Sequence, residues 1–229
     1  MAGMARVTDR ALKERARRIL VAMTERARWI YAVPPAGTLE RIAAILEEEG
    51  MTRTGQAASG RAWRYESDAG ARAVALEHDT LDVVLLEGAG AAVVPAMKRV
   101  LDATGFVPQS KLWGAALDIG APGAPRALAV LAHLCVTWDE DWSDLFLLQL
   151  ASPDPLVRHQ AAVSLVLAAL VAHDAEPALD LLREARRREK LPKLGETIDD
   201  AMRVLRAFAG QPLALDEIDA AVPAVPDSP

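Results

Sequence analysis

Asp154-Pro155-Leu156-Val157-Arg158-His159-Gln160-Ala161-Ala162-Val163-Ser164-Leu165 is the stretch on which the fold turns. Asp154 has the side chain of a helix N-cap, and Pro155 follows in the first turn, where its missing N–H costs nothing. Val157, Ala161 and Leu165 then fall at i, i+4 and i+8, one face of a helix. The apolar run 161–172 continues it to about residue 172. That run is shorter than the roughly 20 residues a bilayer needs, so it reads as a helix buried on most sides.

Outward from this helix, residues 125–137, 141–150, 177–189 and 196–209 also read as helices. Their connections are short, which makes neighbours antiparallel. Toward the N-terminus, residues 108–124 are rich in Gly and Pro and read as a linker. Before it, residues 62–66, 71–78 and 81–87 read as three strands of an antiparallel meander. Asp68-Ala69-Gly70 and Asp79-Thr80 supply the turns. Helices are expected over 39–49, closed by Gly50, and over 90–104, closed by Gly105. Both are expected on one face of the sheet. An amphipathic basic helix is expected over 8–31, with Leu12, Ala16, Ile19, Met23, Ala27 and Ile30 on its apolar side.

The expected fold is therefore an α+β unit followed by an all-α domain, mostly helical overall. Its parts are a basic helix (1–35), a small α+β unit (36–107), a linker (108–124), a helical domain (125–210) and an acidic Pro-rich tail (211–229). The tail has four acidic residues and no basic one, and is expected to order only against something else.

Residues 154–165 resemble the second helix of a HEAT repeat: an Asp-containing turn, then Val-Arg, then a small residue and a Leu. Residues 141–173 carry the one good repeat, and 177–209 has the length of a second without the Val-Arg signature. The resemblance implies stacked helix pairs, Asp154 and Arg158 at the positions that commonly bond between repeats, and a binding surface rather than a chemistry. So few units do not stand alone, so the stack must lean on the N-terminal half or on a partner.

The chain has 229 residues, 52% hydrophobic and 25% charged, with aromatics at only 4%, so Ala, Val and Leu must build its core. It has no Asn and far more Arg than Lys, a composition that fits a GC-rich bacterial genome. Cys135 is the single cysteine, which excludes an internal disulfide and suits the cytoplasm. The net charge is −6, with +5 over residues 1–30 and −11 over the rest, which argues against a general nucleic-acid binder.

Candidate sites are few. Trp138-Asp139-Glu140-Asp141-Trp142 sets three carboxylates between two tryptophans, a helix-start cap or a patch for a partner. Residues 183–193 hold Arg183, Arg186, Arg187, Arg188, Lys190 and Lys193 against Glu184 and Glu189, a solvated face or a docking patch for an acidic partner. Partner-binding candidates are therefore Trp138, Asp139, Asp141, Trp142, Arg158, Arg183, Arg187 and Arg188. Gly88-Ala89-Gly90 follows a strand and opens a helix, the context of a phosphate turn. However, Glu87 puts a negative charge at its mouth, and Val93 stands where a dinucleotide fingerprint has Gly or Ala.

The histidines do not assemble a metal site. His159 and His173 share a helix face but lie roughly 21 Å apart at about 1.5 Å per residue, and His133 and Cys135 diverge around a helix. Trp138, Asp144 and Arg158 could also stand for the Trp, Asp and Arg of HEAT-like DNA glycosylases, although the acidic charge weighs against it.

The leading expectation is a non-enzymatic adaptor or complex subunit with no catalytic, cofactor or metal residues. Its partner would be another protein encoded nearby, or a second copy. The alternatives are a small-ligand or nucleotide-sensing module at 88–90 and the glycosylase.

Overall fold

The computed structural model describes residues 28–34, 38–57, 61–211 and 213–221. Five antiparallel strands form one sheet: β1 (Arg28–Val33), β2 (Thr52–Gln56), β3 (Ala62–Glu66), β4 (Arg72–His78) and β5 (Val83–Ala89), in the order β1-β5-β4-β3-β2. Nine α-helices are described: α1 (Thr38–Glu48), α2 (Val94–Thr104), α3 (Gln109–Leu117), α4 (Ala124–His133), α5 (Glu140–Leu150), α6 (Pro155–Ala172), α7 (Glu176–Arg188), α8 (Pro192–Phe208) and α9 (Leu215–Ala221).

Strand periodicity divides the core in two. Val84 and Leu86 of β5, Ala73 and Ala75 of β4, and Tyr65 of β3 point to one face, against Ile42 and Leu46 of α1 and Met97 and Val100 of α2. Val83, Leu85, Val74, Leu76, Ile30 and Ala32 point to the other and join the core of the helical half. Burial on both faces explains why β5 is a continuous apolar run rather than an alternating one. The sheet is thus a middle layer. The expectation of helices on one face holds for α1 and α2, and the later helices cover the other.

The three-stranded meander corresponds to β3, β4 and β5, but the sheet has two strands more. Residues 28–31, expected to end a helix, lie in β1, where Arg28–Val33 pairs with β5 from Arg28↔Ala89 to Val33↔Val84. The remainder of that expected helix, residues 8–27, lies outside the described residues. β2 is an exposed polar edge strand with an irregularity between Arg53 and Gly55, so it has no apolar alternation to betray it. The connection between β4 and β5 is a 3₁₀ turn, Asp79–Leu81, closed by Asp82 in the left-handed region, and β5 therefore begins two residues later than the sequence pattern suggests.

Residues 108–124 contain a helix, α3, which pairs with α4. Trp113 on α3 packs 5.0 Å from Trp142 on α5, and Gln149 Nε2 donates to Ala116 O at 2.5 Å. Beyond it α4 packs on α6, α6 on α8, and α5 on α7, while α5–α6 and α7–α8 form antiparallel pairs. This gives an inner row (α4, α6, α8) and an outer row (α5, α7). Pro155–Ala172 is the one described helix long and apolar enough to cross a membrane, and 67% of it is buried within the fold.

Part of the acidic tail is ordered against the chain itself. Leu215 and Ile218 of α9 are fully buried, and α9 lies on β4 and α6.

Candidate functional site

The Trp/acid cluster resolves into capping and packing. Asp139 accepts a hydrogen bond from Trp142 N at 3.2 Å and starts α5. Trp142 is buried. Trp138 stacks on Phe146 at 5.9 Å and donates from Nε1 to Ser143 Oγ at 2.9 Å. Asp141 is exposed in the first turn. Cys135 is buried nearby, and burial, then Asp139 and Asp174, push its thiol well above its usual value, which removes it as a nucleophile.

Arg158 joins two helix pairs. It donates from Nε and Nη2 to Glu189, at 2.8 and 3.2 Å, and from Nη1 to Ser152 O and Pro153 O at 2.8 and 3.1 Å. The first contacts reach the turn between α7 and α8; the others hold the turn between α5 and α6. Asp154 instead accepts from Leu156 N at 2.8 Å and caps its own helix. The Arg158 hydrogen bonds hold the Glu189 carboxyl below its usual range, as do the backbone N–H groups of Leu191 and Lys190.

The basic residues of α7 lie in solvent. Arg183 pairs with Asp180 and Arg186 with Asp199, while Arg187 and Arg188 share Glu184. On the outer row, Leu147 and Leu148 are 42% and 46% exposed.

A cluster around Arg28 was invisible in the sequence, because its members are far apart along the chain. Arg28 Nε meets Glu87 Oε1 at 2.6 Å, and Nη1 donates to Val171 O at 3.0 Å and meets His173 Nε2 at 3.1 Å. Glu87 also accepts from Leu215 N at 2.9 Å, and Arg64 donates to Asp216 Oδ2 from Nε and Nη2 at 3.0 and 2.7 Å. These contacts fasten α9 to the sheet. Burial first, then Arg28, lowers the His173 pKa. A cleft of about 1000 Å³ opens here, lined in part by Arg28, Arg64, Arg72, Glu87, His173 and Glu217.

Gly88 sits under α2. A Cβ there would lie 3.0 Å from Met97 Cγ and Sδ and from Val93 Cγ1, so this glycine serves close packing. Glu87 faces Arg28 and α9. His78 and His133 meet edge-to-face with ring centroids 5.5 Å apart. No group of three or more His, Cys, Asp or Glu with metal-binding placement occurs among the described residues.

No protein-family model matches the chain, no curated protein matches it, and no solved structure matches its fold.

Proposed function

We propose that the chain is a non-enzymatic protein–protein interaction module, an adaptor or subunit of a bacterial cytoplasmic complex, that docks through the outer face of a HEAT-like helical stack. The observation that carries this reading is the pair Leu147 and Leu148, exposed side by side on α5. In the inner row α4 meets the 3₁₀ turn between β4 and β5 and α6 meets α9, so a partner meets α5 and α7. Two features support it further. The rows α4–α6–α8 and α5–α7 have the neighbour pattern of stacked helix pairs, and Arg158 ties consecutive turns as a repeat-to-repeat contact would. The sheet supplies the support that so short a stack lacks.

The test is purification of the tagged protein from its native host. One protein should co-purify in fixed ratio with the wild type and be lost with Leu147→Asp/Leu148→Asp, whose circular dichroism should remain native. No co-purifying protein, or one retained by that variant, would contradict the reading.

A further inference from the structure

At one end of the stack, the turns between α5 and α6 and between α7 and α8 enclose a groove of about 430 Å³. Leu150, Ala151 and Leu191 give it apolar walls, and Leu191 is 45% exposed. The Arg158–Glu189 pair lies against it, and Glu189 is fully engaged: it accepts from Arg158, Lys190 N and Leu191 N.

The rim is positive. Arg158, Arg188 and Lys190 line the groove against Glu189 alone, in a chain of net charge −6. Asp180 and Asp199 answer Arg183 and Arg186, and the single Glu184 is shared by Arg187 and Arg188. Lys190, in the groove, and Lys193, in the first turn of α8, have no ionic partner among the described residues. An excess of positive charge therefore lines one side of an apolar slot.

We propose that this groove receives an acidic amphipathic segment of another protein, with an apolar side chain between Leu150 and Leu191 and carboxylates against Arg188, Lys190 and Lys193. The proposal rests on the interaction-module reading and names the partner's chemistry. Charge complementarity selects an acidic occupant. This chain's own acidic helix is committed elsewhere: Asp216 and Glu217 of α9 are bound to Arg64. Nucleic acid fits less well, because the apolar walls of Leu150, Ala151 and Leu191 offer a phosphate backbone nothing to bind.

The experiment is fluorescence anisotropy with the full-length protein and a labelled peptide of about 15 residues, roughly four helical turns, with Leu on one face and Glu elsewhere. Saturable binding that weakens with salt is expected, and the same peptide with Gln for Glu should not bind. Arg188→Glu/Lys190→Glu should weaken binding by about tenfold or more. Ala151→Trp, which fills the slot and leaves the charge unchanged, should abolish it, and Lys98→Glu on α2 should have no effect.

The proposal is overturned if the peptide does not bind or binds Ala151→Trp as well as wild type. It is equally overturned if single-stranded RNA or duplex DNA displaces the peptide, or if sedimentation shows a dimer that Ala151→Trp dissolves. Host-protein capture separates it from the broader reading. Capture lost in Leu147→Asp/Leu148→Asp but kept in Ala151→Trp and the charge reversal would leave the module and remove the groove. Failure to capture any partner would remove the module itself.

Discussion

Arg158 and Asp154, four residues apart, do different work. Asp154 is local: its carboxylate caps α6 through Leu156 N. Asp154→Ala should cost about 1 kcal/mol, read as a lower urea midpoint with unchanged slope. Arg158 is long-range, and its partner Glu189 is 31 residues away. That difference decides what was legible. A cap and a first-turn proline follow from adjacent residues, so both are visible in the sequence; an ion pair between two turns is visible only once the helices have packed.

Gly88 is a second residue-scale case. Gly88→Ala should destabilise by about 1–3 kcal/mol in equilibrium unfolding, because its methyl would lie 3.0 Å from Met97 and Val93 and would force them to shift. His173 adds a pH dependence. Its folded pKa lies below the ordinary value of about 6.5, so the unfolded chain binds the proton more readily. The stability it contributes is present above about 6.5 and is lost as pH falls through the folded value. His173→Gln should flatten that part of the stability–pH curve.

At the scale of elements, α9 and β1 depend on one another. Arg28 reaches Glu87, Val171 and Leu213, and Glu87 accepts from the first amide of α9. Arg28→Ala should therefore release α9, seen as loss of amide-exchange protection over 215–221 with protection kept in α6. Equal exchange in wild type and variant would count against the latch. The helices with strong apolar faces were readable to within a few residues, as α1 and α6 show. β1 was not, because Ala27 and Ile30 continue the helical spacing of the residues before them, and only pairing with β5, from Arg28↔Ala89 to Val33↔Val84, makes the segment extended. β2 carried no pattern at all, since an exposed edge strand need not alternate. The Arg28 cluster was hidden for the same reason as β1.

At the scale of the whole molecule, one core joins Ile30, Val74 and Leu85 of the sheet to Leu131, Leu165 and Leu205 of the helices. Trp29 and Trp63 report on the sheet, and Trp113, Trp138 and Trp142 on the helical half. Single-tryptophan variants from the two sets should give coincident denaturant transitions, and two separated midpoints would mean independent halves. Both rows contribute to this core, and the proposed docking face is the exposed side of the outer row. The most direct test is photocrosslinking in the native host, with a photoreactive residue at Leu148 on α5 or at Val94 on α2, which are similarly exposed at 46% and 44%. A discrete protein adduct is predicted at Leu148 and none at Val94. No adduct at Leu148, or the same adducts at both, would contradict it.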